Sequence, residues 1–158
     1  MDAIELRTLA SELRADAAVA VAAIDLAHAR FAEGSPSGVD SAGHHLSRAY
    51  NVIEQMALRV AKAFENNVDD ERGWHTELLR RVSIRIEGVR PAFFPEDLRV
   101  SLQELRGFRH VFVHAYDLSL DPEKLGLVLK HASRVRTGLP PVVDAFVSAV
   151  ADEQGIDG

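Results

Sequence analysis

Residues 105–116 read Leu105-Arg106-Gly107-Phe108-Arg109-His110-Val111-Phe112-Val113-His114-Ala115-Tyr116. A permanent cation and a titratable base stand here in a stretch otherwise suited to burial: Leu98, Leu102, Leu105, Phe108, Val111, Phe112 and Val113 surround Arg109 and His114. At about 100° per residue, Leu98, Leu102, Leu105, Phe112 and Tyr116 fall within roughly 40° of one line along a helix. Arg109 lies in the middle of that stripe. Arginine is almost never fully buried unless it is paired, so Arg109 requires a carboxylate or a ligand. Its spacing to His114 is awkward. Five residues turn a regular helix by about 140°, which puts the two side chains on different faces. Either the helix ends or distorts before His114, or the site draws on two subunits. Arg106, His110 and His114 follow a four-residue ladder, so Arg106 and His110 are candidate supporting residues.

Beyond this stretch the chain reads as helices alone. Leu6, Leu9, Leu13, Ala17, Ala20, Ile24, Ala27 and Phe31 keep helical steps and predict a first helix over 3–33. The run from Gly34 to Gly38 stops it. A second helix is expected over about 41–66, with Leu46, Ala49, Tyr50, Ile53, Ala57, Val60 and Phe64 inward. Glu54 sits at the edge of that face and is the first candidate to compensate Arg109. A short third helix follows from Gly73 to about Ile84. The fourth opens at Pro95 with Glu96 and Asp97 at its positive end, carries the motif and ends near Tyr116. Asp121-Pro122-Glu123 is a strong start for a fifth. Gly138-Leu139-Pro140-Pro141 predicts a break in it, and 151–158 a flexible tail. No stretch alternates with period two. The expectation is an all-α antiparallel bundle of about five helices, one domain over 1–150.

A chain of 158 residues, 47% hydrophobic and 27% charged, has the size and composition of one globular domain. Without cysteine there is no disulfide, thiolate nucleophile or Cys-based zinc site. The acidic start is wrong for a signal peptide, and the longest apolar run, Ala17–Ile24, is too short for a bilayer. The expectation is a cytoplasmic protein that makes no membrane contact. The net charge is −6, which argues against a general nucleic-acid coat. It is unevenly spread. Residues 72–109 carry eight arginines against five acids and lead into the motif, while the segments on either side are net acidic. Arginine suits bidentate phosphate contacts; the competing reading is a mixed, solvated helix surface.

Arg109, His114 and Tyr116 form Arg-x4-His-x-Tyr. This resembles the Arg-x4-His motif of HEPN-superfamily ribonucleases, in the form found in HepT-like toxins of toxin–antitoxin pairs. Arg48 to Phe64, Gly73-Trp74-His75 with Leu78-Leu79, and Gly88-Val89-Arg90-Pro91 extend the resemblance over most of residues 1–150. It implies a HEPN-like bundle whose motifs face each other across a homodimer cleft. It also implies an endoribonuclease that needs no metal or other cofactor, and a partner antitoxin, a minimal (MNT-type) nucleotidyltransferase, that silences the toxin by attaching AMP to Tyr116.

The chemistry of the residues is compatible with that. RNA is cut when a base takes the 2′-OH proton, the oxygen attacks the adjacent phosphate, and an acid protonates the leaving 5′-oxygen. Histidine titrates near neutrality and can serve either step. Arginine can hold the phosphate and neutralise charge that develops on it. His114 and Arg109 are therefore the catalytic candidates, Arg106, His110 and Glu54 the supporting ones. Three other readings compete. In one, the helix is merely core-packed, with a structural Arg109 ion pair. In another, His110 and His114 grip a metal, although no third ligand is evident. In the last, the chain is a non-catalytic substrate-binding partner of a small nucleotidyltransferase.

Overall fold

The computed structural model describes residues 1–65, 74–114 and 120–157, the side chains of 74–76 excepted. Among these residues there are five helices and no strand: α1 (Ala3–Phe31), α2 (Pro36–Phe64), α3 (Trp74–Val82), α4 (Glu96–His114) and α5 (Pro122–Gln154). A capping box starts α1: Asp2 Oδ1 accepts from the Glu5 amide at 2.8 Å, and Glu5 Oε2 accepts from the Asp2 amide at 2.8 Å. The face expected from the apolar spacing is the buried one, from Leu6 through Ala27. Its alanines let α2 approach closely.

α2 begins at Pro36, five residues earlier than its apolar pattern suggests. Ser35 caps it, its Oγ accepting from the Gly38 amide at 3.0 Å, and Pro36 fills the first turn. The breaker cluster thus holds the start of the next helix as well as the stop of the last. Gly38 is needed here for space. A Cβ on it would stand 2.5 Å from the Arg30 carbonyl oxygen.

Contacts fix the directions. Arg14 meets Asp144 at 3.2 Å, Asp25 meets Arg136 at 2.9 Å, and His28 meets Ser133 at 2.9 Å. Positions rise on α1 as they fall on α5, so the two run antiparallel. Arg59, late in α2, reaches Asp16 at 2.8 Å and Glu12 at 3.4 Å, while Gly38, at the start of α2, lies against Arg30 at the end of α1, which sets the same relation between α1 and α2. α4 lies across α2 and α5, with Ser101 Oγ 3.2 Å from His131 Nδ1. One continuous apolar core runs from Leu6 to Val150 through all five helices.

The expected break at Pro140-Pro141 is absent, and α5 is continuous through both prolines. Each proline costs about 3 kcal/mol in a helix interior. Leu139, Val143, Phe146 and Val150 are all buried on one face around and beyond them, and each contributes about 1.5–3 kcal/mol by leaving water. Burial wins, and both prolines face solvent. The helix also passes residue 150, where a tail was expected to begin. Gly155, at φ 63°, caps it in the left-handed conformation, and Ile156 packs back onto the core.

Between α3 and α4 the chain turns at Gly88 (φ 74°), with an isolated bridge between Ile86 and Arg90. Arg90 is the largest buried polar side chain, 1% exposed. It donates to the carbonyls of Ile84 (2.9 Å), Arg81 (3.0 Å) and Pro91 (3.3 Å), and to Glu65 Oε2 at 3.4 Å. It ties the end of α2 to the end of α3.

Candidate active site

α4 changes character along its length. Leu98, Ser101, Leu102 and Leu105 are buried. From Arg106 to His114 no residue is fully buried, and Val111 and Val113 are 60% and 46% exposed. The motif therefore sits on the less covered end of the helix, not in the closed core that the apolar spacing suggested. Two aromatic rings hold this end to α2. Phe108 and Phe112 stack at 5.6 Å, and Phe112 meets the edge of His44 at 4.9 Å. Gly43 makes room for Phe112 and for Leu120: a Cβ there would stand 2.9 Å from Phe112 Cε2 and 2.8 Å from Leu120 Cδ1.

Beside these rings α4 and Glu54 of α2 line an open cavity of about 440 Å³. Arg109, Arg106, His110 and His114 all line it, together with Glu54, Val113 and Gly107. α4 stays helical through His114, so neither distortion nor a second subunit is required to bring Arg109 and His114 to one cavity. The resolution is width. The lining residues of α4 span an arc of roughly 160°, with Arg109 toward one edge, His114 toward the other and His110 between. The His110 and His114 rings stand 4.6 Å apart, edge to face.

Arg109 lies against Glu54, as its need for a counter-charge suggested, with Nη1 3.7 Å from Oε2. The pair is uneven: the Glu54 side chain is 9% exposed and the Arg109 side chain 35%. Beneath Arg109 lies the Tyr50 ring, 5.6 Å from the guanidinium carbon to its centroid, a cation–π distance. Burial, and next the charge of Glu54, push the Tyr50 phenol well above its ordinary pKa, against the pull of Arg106 and Arg109. It stays protonated.

Most of the arginine run before the motif serves structure. Arg81 pairs with Glu65 at 2.7 Å, Arg80 with Glu77 at 3.7 Å, Arg85 with Glu87 and Glu153, and Arg99 with Glu96. Arg90 is enclosed. Of the described arginines in the run, Arg106 and Arg109 are the two that line the cavity. Linear charge density overstated the basic surface because it carries no information on which acids fold back onto it.

Among the described residues no three His, Asp or Glu side chains group as a metal site, and no helix is long and apolar enough to cross a membrane. Tyr116 lies outside the described residues. Sequence reading placed Tyr50 simply in the core. The signal that would have marked it is the polar series Ser47, Tyr50, Glu54 on one apolar face, at steps of three and four.

Comparison with curated proteins and with solved structures finds no match. A family model described as HepT-like protein matches residues 41–150. That span runs from α2 through most of α5 and includes every residue described at the cavity. The chain belongs to the HepT-like family of the HEPN superfamily.

Proposed function

We propose that this protein is a metal-independent endoribonuclease toxin of a toxin–antitoxin pair, with Arg109 and His114 as its catalytic residues. The observation that carries the reading is one cavity lined by Arg106, Arg109, His110 and His114 on a chain of net charge −6. Cations and imidazoles gathered at one opening suit a phosphodiester. Arg109 binds the phosphate and neutralises its developing charge. His114 takes the 2′-OH proton, the 2′-oxygen bonds to phosphorus, the bond to the 5′-oxygen breaks, and an imidazolium in the cleft protonates the departing oxygen. The products are a 2′,3′-cyclic phosphate and a free 5′-hydroxyl. His110 and Arg106 support, and Glu54 holds Arg109 in place. Family membership supports a partner as well: a small nucleotidyltransferase that silences the toxin by adding AMP to Tyr116.

Purified protein incubated with total RNA in EDTA tests this. Cleavage with cyclic phosphate ends is expected. His114→Ala should fold normally and lose at least about a hundredfold in rate. Arg109→Ala should lose activity too, and about 1–3 kcal/mol of stability in urea melts, because it removes a cation beside the buried Glu54 carboxylate. Cutting by His114→Ala at the parental rate would end the assignment. Intact RNA with the parent protein would favour a non-catalytic substrate-binding partner of a nucleotidyltransferase.

A further inference from the structure

Among the described residues four buried side-chain polar atoms make no hydrogen bond: Ser47 Oγ, Tyr50 Oη, Arg90 Nε and Arg109 Nε. Folded proteins contain few such atoms, and each calls for a reason. Arg90 has four other hydrogen bonds that account for its burial. The other three fall in one neighbourhood. The Tyr50 ring lies under the Arg109 guanidinium, and Ser47 is one turn before Tyr50 on α2.

Tyr50 is the telling member. It is 1% exposed. Phenylalanine would fill the same volume and offer the same ring face to Arg109, so packing does not account for the hydroxyl. Glu54 acts on the phenol as a nearby charge and as an acceptor within reach, yet no well-formed hydrogen bond joins them. In the same place Arg109 faces Glu54 at 3.7 Å, too long for a hydrogen bond. Arg109 thus stands loosely beside the carboxylate, and a protonated phenol lies close by.

A phosphodiester entering the cavity competes with Glu54 for Arg109. As the guanidinium turns to it, a buried carboxylate loses part of its compensation, which disfavours the turn. We propose that Tyr50 is a positioning residue whose hydroxyl donates to Glu54 when Arg109 engages the phosphate of the substrate. The inference rests on reading the cavity as an RNA-cleaving site. The proton stays on Tyr50 throughout, and only the hydrogen bond is made.

Tyr50→Phe is the direct variant. It should fold with an unchanged or higher Tm, since it deletes an unpartnered buried hydroxyl. Its kcat/KM on an oligoribonucleotide should fall roughly ten- to a hundredfold, the loss expected for a hydrogen bond to a buried charge. A purely structural role would not produce the next result. On a Glu54→Gln background no carboxylate needs the donor, so adding Tyr50→Phe should cost less than about threefold. Parental kcat/KM in Tyr50→Phe, beside an active parent, overturns the proposal and leaves the nuclease reading intact. A lowered Tm with an equal loss on both backgrounds also overturns it, in favour of packing. A parent that cuts no RNA removes both readings.

Discussion

As the proposed phosphate ligand, Arg109 would meet two demands at once. A guanidinium near the core needs a counter-charge, and a phosphate-binding guanidinium needs donors to spare. Glu54 at 3.7 Å would serve both, because a pair at that distance neutralises charge without saturating the fork. Tyr116, two residues beyond His114, belongs to this scale by its chemistry. On the proposed function, an AMP group on its hydroxyl would add bulk and negative charge close in sequence to His114, and its phosphate would compete with the RNA backbone for Arg109. Tyr116→Phe should keep nuclease activity and escape silencing when co-expressed with a nucleotidyltransferase antitoxin. Intact-mass measurement decides: an AMP-sized increment that persists in Tyr116→Phe places the modification elsewhere.

At the scale of elements, two helices depart from what their local sequence suggests. α4 presents Val111 and Val113 to solvent because Leu105 is its last fully buried residue and beyond it Phe108 and Phe112 are the rings that hold it to α2. α5 ignores its proline pair because Leu139, Val143 and Phe146 anchor both sides of it. Helix propensity opposes Pro140, and tertiary packing overrides it. Pro140→Ala should therefore raise stability by roughly 1–3 kcal/mol, the restored helix propensity exceeding the extra freedom given to the unfolded chain. Urea denaturation checks this. A loss of stability would mean that the core is fitted to a helix shaped by the prolines.

At the scale of the whole molecule, Val113 is 46% exposed and lines the cavity. Covering it by a second copy would bury apolar surface and bring two sets of Arg106, Arg109, His110 and His114 to one cleft. With the HepT-like relationship, this supports a homodimer. Light scattering at micromolar concentration should give twice the chain mass. A monomer with full ribonuclease activity would exclude it. Val113→Asp should shift the species toward monomer, since a charge in an apolar contact is costly.

Five helices, their inner faces and the chemistry of the motif are legible in the sequence alone, though not the cap at Ser35, the one at Gly155 or the continuity of α5 through its prolines. Steps of three and four in Leu6–Ala27 and Leu46–Val60 mark the faces that are buried, and Asp121 marks a helix start through local capping geometry. Such signals act within a turn or two, so they survive in one dimension. The need of Arg109 for an acid was legible too, with Glu54 at the right edge of the right face. Tertiary structure decided the rest. That Arg109 and His114 open onto one cavity depends on how wide a space α2 leaves beside α4. That Arg81, Arg85 and Arg90 are spent on internal partners depends on Glu65, Glu153 and backbone carbonyls brought from elsewhere. That Tyr50 keeps a bare hydroxyl under Arg109 depends on packing between two helices. Each is a contact between separate elements, and periodicity within one element holds no record of its neighbour.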